Sequence, residues 1–180
     1  NKELVDYFIS LGADNINKGL YGAAIGGNKE LVDYFIALGA DNINKGLYGA
    51  AIGGNKELID YFIALGADDI NKALYKAAEG RHLNIIKYLK SFTNGENDIY
   101  NIIYGAAKGG WLKIIQLYVN LENKLDYNVI DNILFNAGKG GKMKVINYYI
   151  KYGDPMNVYI GAAEKYPVLA DYIRSEYRLF

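Results

Sequence analysis

Hydrophobic positions along the chain fall at helical spacing, in two kinds of short segment that alternate. In residues 29–38, Leu31, Val32, Phe35, Ile36 and Leu38 make one stripe, with Glu30, Asp33 and Ala37 opposite. That is the pattern of an amphipathic helix with one buried face. Lys29 and Asp33 sit four apart, where opposite charges meet on a helix surface. Gly39 follows at the position where a left-handed residue ends a helix. The second kind, residues 42–52, puts Ile43, Leu47, Ala50 and Ala51 on one side. Asp41 or Asn42 is placed to cap its first turn, and Gly53-Gly54 closes it. No segment alternates with the period of two that a half-buried strand requires. The pattern predicts an all-α chain.

The two segments together make a unit, and the unit recurs. Residues 1–27 and 28–54 differ only at Ser10 and Ala37, and residues 55–81 are a third copy with modest drift. Aligned on a small-residue pair, the series runs Ala23-Ala24, Ala50-Ala51, Ala77-Ala78, Ala106-Ala107, Ala137-Gly138 and Ala162-Ala163. Length changes fall between helices, as at residues 93–97, which have turn composition. Self-similarity at this period predicts a stacked array whose units bury their apolar faces only on one another. The expected architecture is an α-solenoid of helix-turn-helix units forming a single array over residues 1–180. An outer helix at 1–12 precedes helix pairs at about 14–39, 41–66, 68–93, 97–121, 127–152 and 155–180. The first residues lie in mid-repeat, so a longer array is expected.

Gly46 and Gly49 interrupt the second inner segment, each costing about 1 kcal/mol against Ala in a helix. Close approach of neighbouring helices explains them without a ligand, and Ala73 and Lys76 stand at the matching places one unit on.

Composition narrows the function classes. The chain carries 20 Lys and Arg against 20 Asp and Glu, so no net field draws it to nucleic acid or an anionic membrane. It has no Cys, which removes thiol chemistry and fits a reducing, intracellular compartment. With one His and four hydroxyl residues besides Tyr, a nucleophile–base pair has few candidates. Asp14, Asp41 and Asp68 recur a unit apart in matching settings, unlike a catalytic carboxylate pair. No phosphate-binding glycine motif follows a strand. Catalytic, metal and cofactor sites are therefore all expected to be absent, and the chain is expected not to be an enzyme.

One inner-helix position carries Tyr21, Tyr48, Tyr75, Tyr104 and Phe135, ending at Ile160. These rings either pack between units with the phenol satisfied at the edge, or form a binding stripe, since Tyr offers large contact area at low entropy cost. One turn further lie Ile25, Ile52, Glu79, Lys108, Lys139 and Glu164, a column that passes from apolar to charged. Candidate protein-binding residues are thus Tyr21, Ile25, Tyr48, Ile52, Tyr75, Glu79, Tyr104 and Lys108. A second aromatic column, Tyr7, Tyr34, Tyr61, Tyr88, Tyr118 and Tyr148, is expected to pack on the outer helices. His82 and Trp111 occupy helix starts and are read as local packing.

The segment Ala-Ala-x-Gly-Gly-Asn-x-Glu-Leu-Val followed by Ile-x-x-Gly-Ala-Asp resembles the ankyrin repeat, most closely at residues 80–89, Gly-Arg-His-Leu-Asn-Ile-Ile-Lys-Tyr-Leu. Gly12-Ala13-Asp14, Gly39-Ala40-Asp41 and Gly66-Ala67-Asp68 match that family's loop. The departure is length: ankyrin units run about 33 residues and open with a β-turn, whereas only eight residues separate Asp41 from Ala50. The array resembles an ankyrin stack without its projecting hairpins. Its Asn- and Tyr-rich composition is similar to that of ankyrin arrays from large DNA viruses of protists. The resemblance implies a non-enzymatic scaffold that binds another protein, with no nucleic-acid or membrane partner. The alternative is a structural spacer or a component of a larger, virion-like assembly.

Overall fold

A computed structural model describes residues 2–93, 95, 97–122 and 126–179, with the side chains of residues 121 and 122 left aside. Of the turn expected at 93–97, Asn94 and Glu96 lie outside the described residues. All regular structure among the described residues is helical, as the hydrophobic pattern predicts. The order is α1 (Lys2–Ser10), α2 (Ile16–Ile25), α3 (Lys29–Ala37), α4 (Ile43–Gly53), α5 (Lys56–Ala64), α6 (Ile70–Glu79) and α7 (Leu83–Leu89), followed by a 3-10 turn (Lys90–Phe92). Then come α8 (Asn97–Gly109), α9 (Leu112–Glu122), α10 (Tyr127–Gly140), α11 (Met143–Tyr149), α12 (Pro155–Ala162) and α13 (Pro167–Glu176).

Even-numbered helices pack in sequence, α2 on α4, α4 on α6, and so to α12, forming an inner layer. Each also packs on the odd-numbered helix that follows it, forming an outer layer. The chain is a helical solenoid. Its core lies between the layers, where Leu20, Leu47, Leu74, Ile103 and Leu134 of the inner helices are fully buried. Facing them are Val32, Ile59, Ile86, Ile115 and Ile146 of the outer helices, also fully buried. Of the stripe expected on α3, Val32 and Phe35 are buried, Leu31 and Ile36 half-buried, and Leu38 exposed. Leu38 is the C-cap, already turning off the helix face.

Helix boundaries follow the capping chemistry. Asn15, Asn28, Asn42, Asn55 and Asp69 each accept a bond from the backbone N–H three residues on. Asn42 is therefore the cap of α4, and Asp41 has another task. At the other end of α3, Gly39 takes φ +96°, and Ala40 N–H reaches back to Phe35 O at 2.9 Å. This Schellman closure buries Ala40.

Asp41 and its neighbours join one unit to the next. The Asn17 amide donates to Asp41 Oδ1 at 2.8 Å, and Asn17 Oδ1 accepts from Asn42 N–H at 2.9 Å. One unit on, Asn44 donates to Asp68 and accepts from Asp68 N–H and Asp69 N–H. At the last junction Asp131 accepts from Asp154 N–H.

The outer helices carry a second ladder. Tyr34, Tyr61 and Tyr88 each donate a phenol proton to the preceding unit's Asp6, Asp33 and Asp60. Lys29 and Lys56 bond Asp33 and Asp60 at 2.8 Å and stand 3.8 and 4.0 Å from the ring centres of Tyr61 and Tyr88. One Lys-x-x-x-Asp pair thus holds its neighbour's ring and hydroxyl together. The expected i, i+4 pair is only half of the device. In the next unit Lys87 replaces the aspartate, and Leu117, not Tyr118, stands where the ring would be, so the ladder stops there.

Candidate functional site

The inner helices approach one another more closely than ordinary side chains allow. A methyl at Gly49 would lie 2.5 Å from Tyr21 O, and one at Gly105 would lie 2.1 Å from Tyr75 O. Gly53, Gly80, Gly109, Gly140 and Gly161 meet the preceding inner helix's backbone in the same way. Gly46 instead makes room for the Phe62 ring of its own unit, and Gly19 for Phe35. Close helix approach is what the glycines serve.

This approach bends the array. Inner-layer residues two units apart touch: Tyr75 on α6 donates to Asn136 Oδ1 on α10 at 2.8 Å, across α8. Lys76 on α6 likewise stands 5.9 Å from the Tyr21 ring centre on α2, across α4. The inner layer is the concave one, and it carries both columns named as candidate binding residues.

Tyr21, Tyr48, Tyr75, Tyr104 and Phe135 are all half-buried there, one per unit, and Ile160 is exposed. Two of the phenols are already engaged. Tyr48 donates to the Asp69 carboxylate of the next unit, and Tyr75 to Asn136. Burial raises the pKa of both; at Tyr48 the hydrogen bond to Asp69 adds to it, and at Tyr75 the charge of nearby Glu79 does. Tyr104 stacks on Tyr100 with centroids 6.0 Å apart, and burial pushes its hydroxyl up to about 12. The column combines both readings of the sequence: its edges hold units together, and its faces border the concave surface.

The second column divides by unit. Ile25 is 41% exposed and Ile52 half-buried. Glu79 and its partners are far more enclosed, with 15% of the carboxylate side chain exposed. Glu79 accepts from Lys76 at 2.9 Å and Lys108 at 2.7 Å. Burial alone would raise its pKa, but the two ammonium groups outweigh that and hold it low. Lys76 is raised by the same carboxylate despite its burial. Lys108 is lowered, first by burial and then by the charges of Lys76 and Lys139, because one carboxylate serves two ammonium groups. Lys72, Lys76 and Lys108 also ring Tyr75 at 4.9 to 5.9 Å from its centre. Tyr75, Glu79 and Lys108 are thus one cluster, which Tyr104, Ile52, Ile25 and the other tyrosines flank along the array.

Sequence reasoning missed the partners of this cluster, Asn136 and Lys76. Their signal was present: Lys76 and Asn136 stand at the inner-helix repeat position that Gly22, Gly49, Gly105 and Gly161 hold in the other units. His82, read as local packing, begins α7 without a side-chain cap, and its Nε2 lies 3.0 Å from Ile52 O.

Among the described residues, no group of three or more His, Cys, Asp and Glu could hold a metal ion, and no helix is long and apolar enough to cross a membrane. No protein-family model matches the chain, and no curated protein sequence matches it either.

Proposed function

We propose that the chain is a shortened ankyrin-like array acting as a non-enzymatic scaffold that binds another protein along its concave inner layer. The observation that carries this is the pair of two-unit contacts, the hydrogen bond from Tyr75 to Asn136 and the approach of Lys76 to the Tyr21 ring. It fixes the curvature of a face on which half-buried rings and exposed Ile25 stand in regular order. A pre-formed surface leaves little ordering entropy to offset on binding. The recurring Gly-Ala-Asp spacing and the second-helix pattern support the family reading.

The spacer reading keeps one observation of its own, the near-identical junctions of the first three units. The two are separated by the full chain used as bait in extracts of its native host. Ile25→Asp combined with Tyr21→Ala changes the concave face and leaves the interlayer core intact. A scaffold loses its captured partner while its helical dichroism is kept; a spacer keeps whatever it captures and changes only in stability. Retention of the partner by this double variant overturns concave-face binding.

A further inference from the structure

The zero net charge hides a gradient. Residues 1–81 hold 8 Lys and Arg against 11 Asp and Glu, whereas residues 82–180 hold 12 against 9. Much of the excess collects in an open groove of about 340 Å³ along the concave layer, lined by Glu79, Lys108, Lys139, Lys142, Lys165 and Tyr166. Glu79 is consumed by Lys76 and Lys108. Among the described residues, no carboxylate lies within ion-pair distance of Lys139, Lys142 or Lys165.

Two of these lysines are not explained by the fold. A lysine in the last turn of an inner helix, as at 108 and 139, complements the helix dipole. Lys142 does the opposite. It stands at the N-cap of α11, where Asn28 and Asn55 bond the first turn in earlier units, and it makes no cap bond. A cation there forgoes the cap and opposes the dipole. Lys165 follows α12 where the earlier units carry Gly53, Gly80, Gly109 and Gly140. Arg81 adds to the cluster. Although not glycine, it adopts φ +65°, and its guanidinium donates to Gly109 O and Gly110 O. A methyl on Gly110 would lie 3.0 Å from Arg81 Nη2 and 2.9 Å from Lys142 Cδ, so the two cationic side chains flank one glycine.

Spacing indicates what such a row receives. Successive packed helices lie about 8–10 Å apart, so Lys108, Lys139 and Lys165, borne by three consecutive units, are spread along the groove. They come from α8, α10 and the turn after α12, so they offer successive contacts to a ligand that runs along the groove. An extended peptide advances about 3.3 Å per residue, so carboxylates three residues apart match the interval. We propose that this groove docks an extended acidic segment of a partner protein, its carboxylates meeting Lys108, Lys139 and Lys165 with Lys142 at the rim. The inference rests on the scaffold reading and names the chemistry of the partner.

The test uses the full chain and a fluorescein-labelled peptide of four Glu-Gly-Gly repeats, with a Gln-Gly-Gly peptide as control, followed by anisotropy. The acidic peptide binds saturably and weakens as NaCl rises from roughly 50 to 300 mM, and the Gln peptide does not bind. Lys139→Glu with Lys165→Glu lowers affinity about tenfold or more. Lys87→Glu with Lys113→Glu makes the same net-charge change on outer helices and leaves binding unaltered. Circular dichroism melts show that both pairs fold. Absence of saturable binding overturns the proposal, as does equal loss from both pairs. So does displacement by inorganic phosphate beyond that of chloride at equal ionic strength, which marks a simple anion site. If the peptide fails while the Ile25- and Tyr21-dependent capture persists, the scaffold reading stands with a partner of other chemistry.

Discussion

Gly22 and Gly49 share the sequence Leu-Tyr-Gly-Ala-Ala-Ile-Gly-Gly, yet only one is crowded. A methyl at Gly49 meets Tyr21 O at 2.5 Å, while one at Gly22 meets nothing within 4 Å. Gly22→Ala should therefore stabilise the chain by up to about 1 kcal/mol through helix propensity. Gly49→Ala should destabilise it by about 1–3 kcal/mol through overpacking. Urea midpoints of the two variants, taken side by side, check the opposite signs. Glu79 sets an acid limit by linkage. Its folded-state pKa is depressed below the ordinary 4.5, so its contribution is present above that value and is lost as pH falls through the folded-state pKa. The wild type should lose stability over that window, and Glu79→Gln should be less stable at neutral pH with a flatter acid profile. The tyrosines set the alkaline limit with the other sign. With Tyr75 raised above its ordinary 10.0, the unfolded chain ionises first, and stability falls as pH climbs from about 10. Tyr75→Phe should flatten that fall and cost about 1 kcal/mol at neutral pH for the bond to Asn136. Chemical denaturation at pH 9 and pH 11 measures both effects.

At the scale of the helix and its junctions, Asn44 is the test residue. Its amide serves Asp68 and its oxygen serves two backbone N–H groups of the next loop. Asn44→Ala should cost about 1–3 kcal/mol and speed amide exchange at Asp68 and Asp69 before it does so in α2. Helices, their interlayer faces and most of their caps were legible in the sequence, because periodicity and capping are local properties of a few residues. The junctions were not. Asn17, Asn44 and the Lys-x-x-x-Asp pairs act on residues 24–32 positions away, and a single copy of the unit says nothing about which neighbour each side chain reaches. Repetition itself was the clue for the outer ladder: Lys29, Asp33 and Tyr34 return unchanged as Lys56, Asp60 and Tyr61. For the candidate site, the two columns were legible, but the enclosure of Glu79 by two lysines was not. That enclosure depends on Lys76, which occupies a glycine position and reads as drift until the curvature is known.

Across the whole molecule, stability is graded. Helix α1 has no buried residue, and Phe8, the counterpart of buried Phe35 and Phe62, is 52% exposed. Amide exchange should be fastest in α1 and slowest in α4, α6 and α8, since arrays of this kind open from poorly covered ends. Equal protection throughout would contradict a graded array. Deleting residues 28–54 should leave a folded, shorter chain, because the flanking copies present nearly the same faces. It moves Lys76 within one unit of Tyr21, so that contact changes even as the helical dichroism per residue is kept.

The contacts that leap across α4 and α8 bear on how the array responds to force. A stack tied only neighbour to neighbour would uncoil smoothly when its ends were drawn apart. Here straightening separates Lys76 from Tyr21 and Tyr75 from Asn136, both anchored on α6. In an optical trap the ends should therefore yield first, and the middle should give way in an abrupt, later step that Tyr75→Phe brings to lower load.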